Sequence, residues 1–131
     1  MWMVADICMI NTIEQFGRNA GVVWDLLSEE GPLPIDEIAD KTHLRMYETE
    51  IAIGWLAREN KVSFENGTYS LAPTNLTTSI GSNAGDLWHL LHEQGKVSIQ
   101  NITKESTLPT QEIYKAVGWL AREEKINIEL E

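Results

Sequence analysis

The feature that most constrains the fold of this chain is an internal repeat. The segment NAGVVWDLLSEEG from Asn19 reappears as NAGDLWHLLHEQG from Asn83, and AIGWLARENKVSFE from Ala52 reappears as AVGWLAREEKINIE from Ala116. Aligned without a gap, residues 19–65 and 83–129 are identical at 21 of 47 positions. Such self-similarity predicts two copies of one structural unit. A unit of about 60 residues has a marginal core on its own, so the two units are expected to pack together.

Each copy opens with an amphipathic helix. Its apolar residues recur at positions i, i+3, i+4 and i+7, the spacing of one helix face. They are Ala20, Val23, Trp24 and Leu27 in the first copy and Ala84, Leu87, Trp88 and Leu91 in the second. Gly31 and Gly95 follow, and predict left-handed caps that end these helices.

Two further helices are predicted in each copy. The first is short and carries Ile35 and Ile38 in the first copy and Ile99 and Ile102 in the second. Ser98 is a candidate N-cap for this helix in the second copy. Pro109 suits the first turn of the next helix. That third helix is expected to bury Thr49, Ala52, Ile53, Leu56 and Ala57 in one copy and Ile113, Ala116, Val117, Leu120 and Ala121 in the other. Gly54 and Gly118 lie inside it at a cost of about 1 kcal/mol each, which predicts a close helix crossing beside the tryptophan.

A β hairpin, or wing, follows the third helix. In the first copy the period changes to two at Val62 and Phe64, and Asn66-Gly67 then predicts a tight two-residue turn before Tyr69 and Leu71. In the second copy Ile126, Ile128 and Leu130 alternate in the same way, but the printed sequence stops before a return strand. An unpaired apolar strand promotes aggregation, so we expect a cover. The candidates are the apolar segment Trp2 to Ile10 and the same edge of another subunit.

The signatures NAG-x-x-W-x-x-L and GWLARE, the latter followed by a lysine and a strand, resemble a small prokaryotic family of winged helix-turn-helix proteins that are mostly uncharacterised. The resemblance covers Asn11 to Leu71 and Asn75 to Glu131. It implies the winged-helix fold, a role of the transcription-regulator type with DNA binding, and dimer formation. It brings no catalytic residues with it.

The predicted fold class is therefore α+β and mainly α. Two tandem winged helix-turn-helix units, each of three helices and a small β wing, are expected to pack with pseudo-twofold symmetry. The predicted segments are an N-terminal apolar segment (1–10), the first unit (11–71), a linker (72–82) and the second unit with a truncated wing (83–131). The linker is a run rich in Ser, Thr, Asn, Pro and Gly.

Charge bears on whether such a protein grips DNA. The chain carries 20 acidic and 10 basic side chains and a net charge of −10, which argues against broad contact with phosphates. Residues 67–131 hold 5 basic and 8 acidic side chains, against 5 and 12 in residues 1–66. If one half contacts DNA, the second half is the better candidate.

The third helix would enter the major groove in a winged helix-turn-helix protein. Its predicted exposed residues, together with Lys104, are the candidate contacts with nucleic acid or a partner: Arg45, Tyr47, Glu48 and Glu50 in the first copy, and Thr110, Gln111, Tyr114 and Lys115 in the second. Glu48 and Glu50 would repel phosphate. The alternative interpretation is a solvated helix face, with Tyr47 and Tyr114 capping the core.

No pattern in the sequence predicts catalysis or a cofactor. His89, His92 and Glu93 have a spacing that could present three metal ligands on one side of a helix, but an exposed polar face is the stronger interpretation. Cys8 is the sole cysteine and excludes an intramolecular disulfide. Trp24, Trp55, Trp88 and Trp119 are expected in the core, whereas Trp2 is a candidate interface residue.

The leading hypothesis is a non-catalytic DNA-binding or regulatory module of the transcription-regulator type, in which contact with a protein counts as much as contact with DNA, and in which the second unit is favoured for any DNA contact. The alternative is a protein-interaction or dimerisation module that binds no nucleic acid, and a homodimer through the second-unit edge strand is one form of it. The opening segment has no basic leader, contains Asp6 and is too short to span a membrane, so we expect a cytoplasmic protein without a membrane partner.

Overall fold

The computed structural model of the protein describes residues 2–5 and 10–129, with side chains described for residues 12–126. Its elements, in chain order, are β1 (Trp2–Ala5), α1 (Ile10–Glu30), α2 (Ile35–Thr42), α3 (Met46–Arg58), β2 (Val62–Glu65), β3 (Thr68–Leu71), a π-helical turn (Thr77–Gly81), α4 (Ser82–Gln94), β4 (Lys96–Ser98), α5 (Ile99–Glu105), α6 (Thr110–Arg122) and β5 (Ile126–Glu129). The predicted mainly helical α+β class is confirmed. We call α1–α3 with β2 and β3 the first unit, and α4–α6 with β4 and β5 the second.

The local signals read from the sequence fix the ends of these elements. Gly31 and Gly95 both have a φ of 81°, in the positive range that glycine adopts more readily than other residues. With a ψ of −65°, Gly95 departs from the left-handed cap that the sequence predicted for it. The Ser98 hydroxyl accepts a hydrogen bond from the Asn101 amide and so caps α5. The π-helical turn lies inside the stretch assigned to a linker and runs directly into α4.

The predicted hairpin of the first wing joins β2 and β3 antiparallel, with Phe64 opposite Tyr69. Positive φ values at Asn66 and Gly67 are those that the two-residue turn requires. Leu33 forms a third, one-residue strand, because its backbone and that of Tyr69 exchange two hydrogen bonds of 3.0 and 2.8 Å. The first wing is therefore a small sheet in the order Leu33, β3, β2.

The second wing is completed by the start of the chain. Strand β1 lies between β4 and β5 and is antiparallel to both. Met3 is opposite Val97 on one side and Ile128 on the other, just as Tyr69 is opposite Leu33 and Phe64 in the first wing. Of the two candidate covers for β5, the N-terminal segment is the one that the structure contains.

The hydrophobic cores of the two units interlock. All ten side chains that the third-helix pattern predicted to be inside are buried. Phe16 of α1 and Ile51 of α3 are part of the hydrophobic core of the second unit. Ile80, in the π-helical turn before α4, is part of the core of the first unit. Phe16 and Ile80 are equivalent positions of the repeat, so this exchange is the reciprocal packing that pseudo-twofold symmetry predicts.

Candidate functional site at the paired third helices

The third helices of the two units, α3 and α6, pack against each other in the same direction. At their N-terminal ends the rings of Tyr47 and Tyr114 are 5.5 Å apart. At their C-terminal ends Arg58 Nε lies 3.0 Å from Glu123 Oε2. The helices that would read DNA thus face each other along their whole length.

Two glycines allow this packing. A Cβ atom on Gly54 would lie 1.8 Å from the backbone oxygen of Lys115, and a Cβ on Gly118 would lie 1.9 Å from that of Ile51. No other residue fits at such distances, because the backbones themselves are in contact. The close helix crossing predicted from these glycines is confirmed, and it joins the two units.

Reciprocal ion pairs close the C-terminal ends of the helix pair. Arg58 and Lys125 lie 3.0 and 3.6 Å from Glu123. The equivalent Arg122 and Lys61 lie 3.0 and 3.6 Å from Glu59. Matching distances on both sides indicate a twofold relation at this end.

The tryptophans of the GWLARE segments lie under those arginines. The Arg122 guanidinium is 5.9 Å from the ring centre of Trp55, and the Arg58 guanidinium is 5.8 Å from that of Trp119. These are cation–π distances. Both rings are half-buried and contact the cores of both units, so they serve the unit interface as well as the core.

The N-terminal half of the helix pair breaks the symmetry with a buried charged cluster. Lys115 Nζ lies 3.1 Å from Glu112 Oε1 and 3.4 Å from Glu50 Oε2, and the ring centre of Tyr69 is 5.7 Å away. The Glu50 contact is an ion pair without hydrogen-bond geometry. The repeat equivalent of Lys115 is Ile51, which is fully buried.

Burial and neighbouring charges shift the pKa values of Glu50 and Lys115 in this cluster. Burial raises the pKa of Glu50 against the opposing charge of Lys115. Burial alone would lower the pKa of Lys115, but the Tyr69 hydroxyl and the carboxylates of Glu50 and Glu112 outweigh it and raise that pKa. Lys115 therefore remains a cation inside the interface at neutral pH.

The structure corrects the predicted exposure of two candidate contact residues. Glu50 is 4% exposed and Lys115 is 8% exposed. Each is covered by the other unit, and the periodicity of one helix cannot show such burial. Tyr69 and Glu112 were not among the contact residues predicted from the sequence. The signal that could have pointed to the cluster is Lys115 at the position where the first copy has Ile51.

The other candidate contacts lie nearer the surface. Arg45, Lys104, Thr110 and Gln111 are exposed. Tyr47 and Tyr114 are half-buried against the core of the second unit, as in the alternative capping interpretation. Glu48 is half-buried and accepts a hydrogen bond of 3.0 Å from the Arg45 amide at the start of α3.

Most cations of the chain already have an acidic partner. Among residues 12–126, ion pairs are formed by Arg18, Lys41, Arg58, Lys61, Lys115, Arg122 and Lys125. A phosphate backbone would have to compete with these carboxylates. The protein thus presents little free positive charge.

The histidines of α4 form an aromatic group with Trp88. His92 stacks on Trp88 with ring centres 4.7 Å apart, and His89 meets the edge of the same ring at 5.5 Å. The described residues contain no group of three side chains placed to hold a metal ion. The prediction that Trp24 lies in the core is wrong: it is 39% exposed, in a shallow cleft between α1 and α3.

Comparison with known proteins identifies the architecture. A family model described as a winged helix-turn-helix domain (DUF2582) matches residues 10–73 and again residues 76–131. No curated protein and no solved structure matches the chain. Among the described residues, no helix has the length and apolar character needed to cross a membrane.

Proposed function

This chain belongs to the winged helix-turn-helix family DUF2582, and we propose that it is a non-catalytic regulatory module that acts by binding a protein partner rather than by reading DNA with its third helices. The observation that carries this proposal is the backbone contact between α3 and α6 at Gly54 and Gly118. The surface that a winged helix would present to a DNA groove is here covered by the third helix of the other unit.

The spacing of the two helices is incompatible with two half-sites. Dimeric helix-turn-helix proteins place their recognition helices about 34 Å apart, one turn of DNA, so that each enters its own stretch of major groove. Here α3 and α6 touch along their length. Two contacting helices are also too wide for a groove of about 12 Å, which admits one α-helix.

Burial leaves little of either helix to contact bases. Eight of the thirteen residues of α3 and seven of the thirteen of α6, both fully described, are buried. Among the candidate contacts on these helices, Thr110 and Gln111 at the N-terminal end of α6 are exposed. Combined with a net charge of −10, this surface favours a protein partner over a polyanion.

A second candidate function is DNA contact by one end of the second unit. Lys104 on α5 is exposed, forms no ion pair among the described side chains, and accompanies the exposed Thr110 and Gln111. This alternative needs few phosphate contacts and therefore predicts weak binding with a shallow salt dependence.

The test uses the full chain. We expect affinity capture from a nuclease-treated lysate to retain a protein, which is then purified and shown to bind the chain directly. Fluorescence anisotropy with a pool of random-sequence duplex DNA should show no binding at physiological salt.

The charge reversal Lys104→Glu, compared with Lys41→Glu in the first unit, separates the two candidates. Saturable DNA binding that is lost in Lys104→Glu and retained in Lys41→Glu would establish the DNA-contact function and overturn the proposal. Unchanged capture of the purified partner by both variants is the expected result.

A further inference from the structure

The second wing contains a slot that accepts a strand. In the described sheet β4 and β5 do not pair with each other; β1 lies between them and pairs with both. Three residues of β1 pair with β4, and all four pair with β5. Without a strand at this place, the facing backbone groups of β4 and β5 would lose their hydrogen-bond partners, which costs free energy wherever they are buried.

The occupant of the slot reproduces the return strand of the first wing residue by residue. In the first wing Leu71, Tyr69 and Thr68 face Val62, Phe64 and Glu65. In the second, Ala5, Met3 and Trp2 face the equivalent residues of β5, from Ile126 to Glu129. The slot thus specifies direction and register, and residues 2–5 are a segment shown to fit it.

The two return strands are tethered differently. Strand β3 follows β2 through the two-residue turn at Asn66-Gly67, so it cannot leave its wing without opening the hairpin. Strand β1 is instead joined to α1, a helix of the first unit, and lies more than 120 positions from β5 in sequence. It can therefore leave the slot without opening a hairpin, and the same contacts are available to a strand from another molecule.

We propose that β1 is an exchangeable strand, and that two copies of the chain trade it, so that residues 2–5 of each copy complete the second wing of the other. A second copy is the partner because its own residues 2–5 match this slot in direction and register. The exchange gives a dimer whose formation rises with protein concentration.

Two single-cysteine variants detect the exchange in the full-length chain. Both carry Cys8→Ser; one carries Met3→Cys and a mass tag, and the other carries Ile128→Cys. These positions are opposite each other in the register. In the equivalent pair of the first wing, the backbone of Phe64 forms hydrogen bonds with the side chain of Asn75, and the backbone of Tyr69 forms them with the backbone of Leu33. This is thus a non-hydrogen-bonded pair with Cα atoms about 4.5 Å apart, within the range that a disulfide spans.

Mixing the two variants, annealing them and oxidising them should give a tagged–untagged disulfide dimer whose yield rises with concentration. The control pairs Met3→Cys with Asn127→Cys, which is one residue out of register. A mixed dimer no more abundant than in this control overturns the proposal. So does a chain with both Met3→Cys and Ile128→Cys that oxidises only within itself at every concentration.

Discussion

At the central glycines of α3 and α6, each unit makes the same contact with the other unit. At the residues one turn earlier, the contacts of the two units differ. Gly54 and Gly118 each receive a backbone oxygen of the other unit. Three and four residues before them, the first unit carries Ile51 and Glu50, and the second carries Lys115 and Tyr114. Glu50 and Lys115 meet across the interface, so the charged pair requires one unit of each kind.

This difference indicates which units can pair. Two first units would bury Glu50 twice without the lysine that faces it here. Two second units would bury Lys115 twice without a carboxylate from the opposite unit. An unpaired buried charge is strongly unfavourable, so we expect the cluster to favour pairing of a first unit with a second unit over pairing of like units.

The largest effect is expected where the units are alike. In Gly54→Ala or Gly118→Ala the new methyl group would lie within 2 Å of a backbone oxygen, and the helices must separate. Such a backbone clash costs about 5 kcal/mol or more, comparable with the whole stability of a domain. Urea unfolding followed by tryptophan fluorescence would measure the loss.

Matched controls exist at Gly21 and Gly85, equivalent positions on α1 and α4. A Cβ there would meet no described atom within 4 Å. Alanine should stabilise each exposed helix by about 0.4–1 kcal/mol. If Gly54→Ala proved as harmless as Gly21→Ala, the helices would not be in backbone contact.

The next effect concerns the place where the units differ. Lys115→Ile introduces the residue of the first unit and leaves Glu50 buried without its cation. Removing one partner of a buried ion pair costs about 3–5 kcal/mol. The pKa of Glu50, already raised by burial, should rise further, so the variant regains stability as pH falls through that raised pKa.

The double change Glu50→Tyr with Lys115→Ile makes these positions identical in both units. It removes the buried charges together and should be more stable than Lys115→Ile alone, which a double-mutant cycle would quantify. Lys104→Met, an exposed lysine on α5, is the control and should change stability by less than about 0.5 kcal/mol. Additive single changes would show that Glu50 and Lys115 are not coupled.

Much of the fold could be predicted because its signals are local. The helix periodicity, the helix ends at Gly31 and Gly95 and the Asn66-Gly67 turn all depend on a few neighbouring residues, and the structure contains each of them, although Gly95 does not adopt the predicted left-handed cap. The glycines of the third helix also predicted a close crossing. The N-terminal strand was one of two candidates, because long-range strand pairing leaves no local pattern that could decide between them.

The candidate site was less predictable for a physical reason. A helical period of 3.6 residues separates two faces, but α3 and α6 are covered on one side by their own unit and on the other by the second. Glu50 and Lys115 lie on the side that a single unit would expose. Their charges suggested solvent, whereas each is neutralised across the interface.

A smaller effect is expected in alkaline solution. The pKa of Lys115 is raised above 10.5, and burial raises the pKa of Tyr69 above 10.0. The folded chain therefore keeps protons that the unfolded chain loses, so stability is full below about pH 10 and declines above it. The limiting slope is about 1.4 kcal/mol per pH unit for each proton. Urea unfolding between pH 8 and 11 should show a shallower decline in Tyr69→Phe; an equal decline would place the phenol outside the cluster.

The smallest effects test the symmetry at the C-terminal ends. Arg58→Ala and Arg122→Ala each remove an ion pair and a cation over a tryptophan. Because these arginine side chains are 45% and 44% exposed, solvent screening limits each loss to roughly 0.5–1 kcal/mol, and salt should reduce it. Equal distances on both sides predict equal losses in urea unfolding. A difference of more than about 0.5 kcal/mol would mean that the asymmetry of the buried cluster extends along the whole helix pair, since the two arginines would then sense different surroundings.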